Sequence, residues 1–246
     1  MHPLTLIVCG VHENSTAMGK TFAYLSDTLE KLIHRSVALR RNQDPEESAM
    51  FGPILGRAML EVSCTALVAR FDPLRVLAIR QTQVASTFDL QTRNPMAFDW
   101  TGDVKGEDVK NLTQGCHARS LQRALLSSHA QELIWREAFE SLMDNMPSNR
   151  GLDWMRSLER IQPAGFVSFT RGEAEILYSE LSKGVHHEFV IPAQFDVVSV
   201  GDLLSRTWTL IGHLGLTACH SSIPRDFHGA AALEAYEAAQ RDFYQR

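Results

Sequence analysis

The sequence predicts an all-α protein: a single-domain bundle of about seven or eight helices over residues 1–246, with one short strand at the amino terminus. Two observations carry this. Segment after segment spaces its apolar residues by three and four, the period of a helix with one buried face. The breaks between those segments carry helix-start and helix-stop residues in place of the alternating patterns of strands, with Asp44-Pro45 and Asp72-Pro73 as the clearest.

The run from Leu4 to Cys9 is apolar apart from Thr5 and reads as the strand. A long helix follows over 18–40, with Phe22, Leu25, Leu29, Leu32, Ile33 and Val37 as its stripe and Asn14, Ser15 or Thr16 to cap it. Asp44 caps the next helix, Pro45 suits its first position, and Glu46 and Glu47 suit the positive end of its dipole. That helix carries Gly52, Pro53 and Gly56: the proline should kink or split it, and the glycines should let another helix come close. Asp72 and Pro73 open a further helix, although LRVLAI read alone fits a buried strand equally well.

Residues 92–106 form the longest stretch without periodicity and hold Phe98 and Trp100, a pattern of loops that bind partners. Helices are then expected over 117–146, 152–161 and 170–183, the last stopped by Lys183-Gly184-Val185 with the glycine left-handed. Ser199 and Asp202 pair as caps for a helix over 200–219, and a final helix covers 229–243.

Net charge is −5, so no global basic field exists to hold nucleic acid. Arg35, Arg40 and Arg41 cluster at one helix end, where cations suit the dipole, and read as a solvated terminus. Cys9, Cys64, Cys116 and Cys219 are far apart and form no CxxC pair, as expected of reduced thiols in a cytoplasmic protein. Leu4 to Cys9 is too short for a signal-peptide core, and no apolar run approaches spanning length, so no membrane role is expected. Neither HExxH nor the Glu-x-x-His of di-iron bundles occurs, and neither a metal nor any other cofactor is implied.

Gly19-Lys20-Thr21 supplies the last three positions of a phosphate-binding loop, GxxxxGK[ST]. The first glycine of that pattern is replaced by Asn14, and Gly10 lies four residues too early. Nucleotide binding through Gly19, Lys20 and Thr21 is therefore the third functional reading.

On the helix over 200–219, Val200, Leu203, Leu204, Thr207, Ile211, Leu214 and Ala218 project to a core face. Asp202, Arg206, Thr209, His213 and His220 project to the other side, with Arg206, His213 and His220 each seven apart. An arginine to hold phosphate charge and a histidine to move protons are what metal-free phosphodiester cleavage needs. The stretch RTWTLIGH is similar to the Arg-x(4–6)-His pattern of HEPN-type helical ribonucleases. That resemblance implies a helical dimer acting on RNA, with Arg206 and His213 catalytic. RALLSSH, from Arg123 to His129, is a second and poorer match. YSELSKGVHHEF resembles a segment of bacterial all-helical families linked to abortive infection, and its His186 and His187 would join His220 as accessory groups. The first reading is a helical interaction or scaffold protein in a bacterial antiviral defence assembly, bound to a protein partner or a second copy. The ribonuclease is its alternative.

Overall fold

The computed structural model describes residues 1–42, 44–86, 88, 128–146, 153–185, 195–223 and 227–244. Among these residues there are nine α-helices and no strand. They are α1 (Pro3–Cys9), α2 (Ala17–Asn42), α3 (Pro45–Phe71), α4 (Pro73–Gln83), α5 (Ser128–Asp144), α6 (Asp153–Glu159), α7 (Phe166–Val185), α8 (Val197–Ala218) and α9 (Ala230–Tyr244). A 3-10 turn, Pro163–Gly165, leads into α7. The expected loop over 92–106 lies outside the described residues, as does the first part of the helix expected over 117–146.

The amino-terminal strand is a correction: Leu4 to Cys9 belong to a helix. Pro3 presets the first helical turn, and the His2 imidazole accepts the Leu4 N–H at 3.1 Å, which supplies the cap. The His2 backbone N–H donates to both carboxylate oxygens of Glu30 on α2, at 2.8 and 2.9 Å. Gly10, with φ 72°, ends the helix in a conformation that side chains avoid. Leu4, Ile7, Val8 and Cys9 are all 0 % exposed, because α1 is enclosed by α2, α3, α8 and α9. A helix buried on every side shows no amphipathic period, which is why its sequence mimics a strand.

Helix α3 runs on through Pro53 as one helix, so the proline does not split it. Its glycines explain the packing on either side of the proline. A Cβ on Gly52 would lie 2.2 Å from Val200 of α8, and one on Gly56 would lie 2.8 Å from Leu181 of α7. Gly184 returns the favour: it lies inside α7 and is not a left-handed stop, and its missing Cβ leaves room for the Pro53 ring at 2.6 Å. Thus α3 is the helix on which α2, α7 and α8 all pack. Contrary to the expectation that no run approaches spanning length, it is long and apolar enough to cross a bilayer by length and composition, a property shared by buried core helices.

Two starts differ from expectation. Helix α8 begins at Val197 because Asp196 caps it, accepting from the Ser199 N–H at 2.7 Å, so Ser199 is a capped residue and not the cap. Helix α7 begins at Phe166, directly after the Pro163 turn. LRVLAI resolves as helix α4. Near the centre, Trp208 of α8 is fully buried and its indole N–H donates to Ser36 Oγ of α2 at 3.2 Å. Arg70 of α3 reaches inward and donates to the Ile7 carbonyl of α1 at 2.9 Å.

The glycine contacts make opposite predictions for one substitution. Gly52→Ala forces a methyl against the stiff Val200 side chain and is expected to destabilise by about 1–3 kcal/mol. Gly201→Ala on α8 meets nothing within 4 Å and is expected to stabilise by about 0.5–1 kcal/mol. Urea-unfolding midpoints of the two variants should move in opposite directions.

Candidate functional site

Arg206 lies on the outer side of α8, with its side chain 32 % exposed. Its Nε donates to Glu173 Oε1 at 2.9 Å and its NH1 to Glu180 Oε2 at 3.1 Å, both on α7, while Asp202 stands 3.8 Å away. The Glu173 hydrogen bond is the main influence holding the guanidinium pKa above its ordinary value, with the three carboxylate charges adding to it. Three carboxylates against one cation leave this spot at a net charge of −2, which repels a phosphate. Arg206 works as a clip between α7 and α8.

The placement of His213 is a correction. It is 3 % exposed and faces α6, away from the α7 carboxylates that hold Arg206. Its Nε2 lies 3.1 Å from the Trp154 carbonyl and 3.2 Å from Ser157 Oγ. Since a carbonyl only accepts, we assign the ring proton to Nε2. The Ser157 hydroxyl donates to the same carbonyl at 2.6 Å. A serine nucleophile needs a lone pair at the histidine nitrogen facing it, and here that nitrogen carries the proton. Ser157 and His213 thus staple α6 to α8 and do not form a dyad. The helix wheel misplaced His213 because α8 is buried on both sides along its second half: Trp208, Gly212, Gly215 and Leu216 make a second buried stripe.

His220 sits just past α8, its N–H donating to the Thr217 carbonyl at 3.0 Å. It is half-buried, and its Nε2 has no hydrogen-bond partner. His186, His187 and Arg123 lie outside the described residues. No group of three or more His, Cys, Asp or Glu side chains that could hold a metal occurs among the described residues.

Gly19-Lys20-Thr21 is the first stretch of α2. The Gly19 N–H donates to Thr16 Oγ1 at 2.9 Å and the Lys20 N–H to the Thr16 carbonyl at 3.0 Å, so Thr16 is the cap. The Thr21 hydroxyl is turned back to the Ala17 carbonyl at 2.9 Å. The Glu13 carbonyl oxygen occupies the space a Gly19 Cβ would need, 1.7 Å from that position. Gly19 is there to admit a loop carbonyl, and the carbonyl presents the wrong polarity for a phosphate. Lys20 is exposed.

A different feature is concave. Where the carboxyl ends of α2 and α9 meet the start of α8, the surface forms a groove of about 610 Å³. Val200, Gly201 and Leu204 of α8 and Leu39 of α2 line it, with Ser48 of α3 at one side. Val198, 78 % exposed, and Tyr244, 49 % exposed, belong to its lip. Arg40, Arg41 and Asp242 are its charged residues. The arginine cluster read as a solvated helix end is divided: Arg40 lies over the Phe243 ring at 3.8 Å and donates to the Phe243 carbonyl, while Arg35 and Arg41 are exposed. Nothing in the sequence pattern marks this groove, because four helices from distant parts of the chain build it.

No protein-family model, no curated protein and no solved structure matches this chain.

Burial holds the His213 pKa down at about 4, against a smaller upward pull from the Trp154 carbonyl. His2 and His220 are also lowered, chiefly by burial. A histidine lowered in the folded state takes up protons first in the unfolded chain, so stability is full above pH ~6.5 and is lost as pH falls towards 4. His213 alone should remove roughly 2–3 kcal/mol between pH 7.5 and 4.5. His213→Gln, whose amide can still donate to the Trp154 carbonyl, should show a smaller stability loss by about that amount in urea unfolding at the two pH values.

Proposed function

We propose that this chain is a helical interaction protein that grips a protein partner through the groove at the α2, α8 and α9 ends. One observation carries the reading: an apolar concavity of about 610 Å³ with Val198 and Tyr244 exposed on its lip. Exposed apolar surface gathered around a hollow marks interaction sites far more often than scattered single residues do. Helical partners use such hollows by inserting apolar side chains spaced one turn apart. The setting in a bacterial defence assembly rests on the sequence resemblance alone. No feature of the described residues favours the ribonuclease or the nucleotide reading over this one.

The test is a plug. A side chain placed on Gly201 enters open space, so Gly201→Trp should fill the groove while leaving helical dichroism and melting temperature close to those of the parent. The tagged parent, expressed in its native host, should retain a partner that the plugged variant loses. A partner retained by the plugged variant rejects the reading.

A further inference from the structure

Resting on the groove reading, we infer that the occupant is a short amphipathic helix of a partner protein with acidic residues beside its apolar anchors. The length of the site favours a helix. Ser48, Phe51 and Leu55 share one face of α3; Ser48 lines the groove, Leu55 packs on the Leu39, Val200 and Leu204 cluster beneath it, and Phe51 is 44 % exposed. Phe51 therefore adds one exposed apolar side chain beside the groove, a turn along α3 from Ser48 or roughly 5 Å, which suits a further anchor of a docked helix.

Charge gives the second half of the inference. Among the described residues, Arg40 and Arg41 line the groove against a single lining carboxylate, Asp242, in a chain whose net charge is −5. Asp242 is turned towards His2, with Oδ2 at 3.4 Å from Nε2. Arg40 forms part of the floor, stacked on Phe243. Arg41 is exposed and stands in no ion pair among the described residues. The start of α8 is a poor rival anchor for a partner's carboxylate, because the Asp196 carboxylate that accepts from the Ser199 N–H already stands there and repels a second anion. A carboxylate flanking the apolar anchors would meet Arg41, and a lysine there would be repelled by it. Such a rim pair chooses between partners more than it adds affinity.

Two labelled peptides provide the experiment. Both carry leucines at i, i+4 and i+7; one flanks them with glutamates and its twin with lysines, and binding is read by fluorescence anisotropy at low salt. The glutamate peptide should bind the parent protein roughly three- to tenfold more tightly, the range expected of partly exposed charges. Raising the salt should shrink that ratio. Arg41→Glu should collapse or invert it, and Gly201→Trp should abolish binding of both peptides. Equal affinities, or a preference that survives Arg41→Glu, overturn the acidic partner while the groove stands. Binding that survives Gly201→Trp overturns the groove itself, and binding of neither peptide to the parent overturns both.

Discussion

Helix α8 must be approached closely at both ends of its length, and the residues that permit this organise the rest of the molecule. Near its start α3 comes so close that Gly52 has no room for a Cβ beside Val200. Near its end, a Cβ on Gly215 would touch Ile7 and Val8 of α1 at 3.1 and 3.2 Å, and one on Gly212 would touch Trp154 of α6 and Tyr236 of α9 at the same distances. Close-packed interiors tolerate few voids and little overlap, so a side chain at these glycines would push a whole helix outward. The short α1 survives as a helix only inside this enclosure. Seven residues are far below the length at which an isolated helix is stable. Its four fully buried apolar side chains hold it by contact, and the His2 cap sets its entry.

The polar groups of α8 follow from the same enclosure. Arg206 lies where the helix faces α7 at the surface, so it keeps its charge and gathers carboxylates. Two turns later the helix is covered by α6, and His213 at that point gives up its charge and uses its proton to hold a carbonyl. Two residues seven apart on one helix therefore do unrelated work. Burial decides which role each takes, since desolvation penalises an imidazolium heavily while a partly exposed guanidinium keeps its solvent and its partners.

Much of the architecture was legible because most helices here are covered on one face only. The Phe22, Leu25, Leu29 and Ile33 stripe of α2 is buried as its spacing predicts, and the Asp44 cap and Pro45 start of α3 stand where the residue types place them. Legibility failed where a helix is covered all round. Leu4 to Cys9 carries no period to read, and the His213 side of α8 looked solvent-facing because its second buried stripe is written in Trp208, Gly212 and Gly215 instead of leucines. Glycine was misread in the same way. Gly184 has the surroundings of a helix stop, and only the position of Pro53 on another helix shows that it serves contact. The groove proposed to bind a partner was the least legible, since a concavity made by separate helix ends has no local motif.

The three glycines of α8 also show where the packing stops. Gly212 and Gly215 meet neighbours at 3.1–3.2 Å, whereas Gly201, on the same helix, meets nothing within 4 Å. A residue with no side chain costs helix stability wherever it stands, and at Gly212 and Gly215 that cost is matched by a close approach that nothing larger permits. At Gly201 no element of this chain, among the described residues, uses the space. Leu39, Val200 and Leu204 beneath it form an apolar cluster separate from the main core, with Val198 left at the rim. One end of α8 thus has the small residue and the apolar floor that elsewhere in the same helix receive another helix, and no described residue fills that place. That contrast within a single helix is the physical argument behind the proposal that a partner docks there.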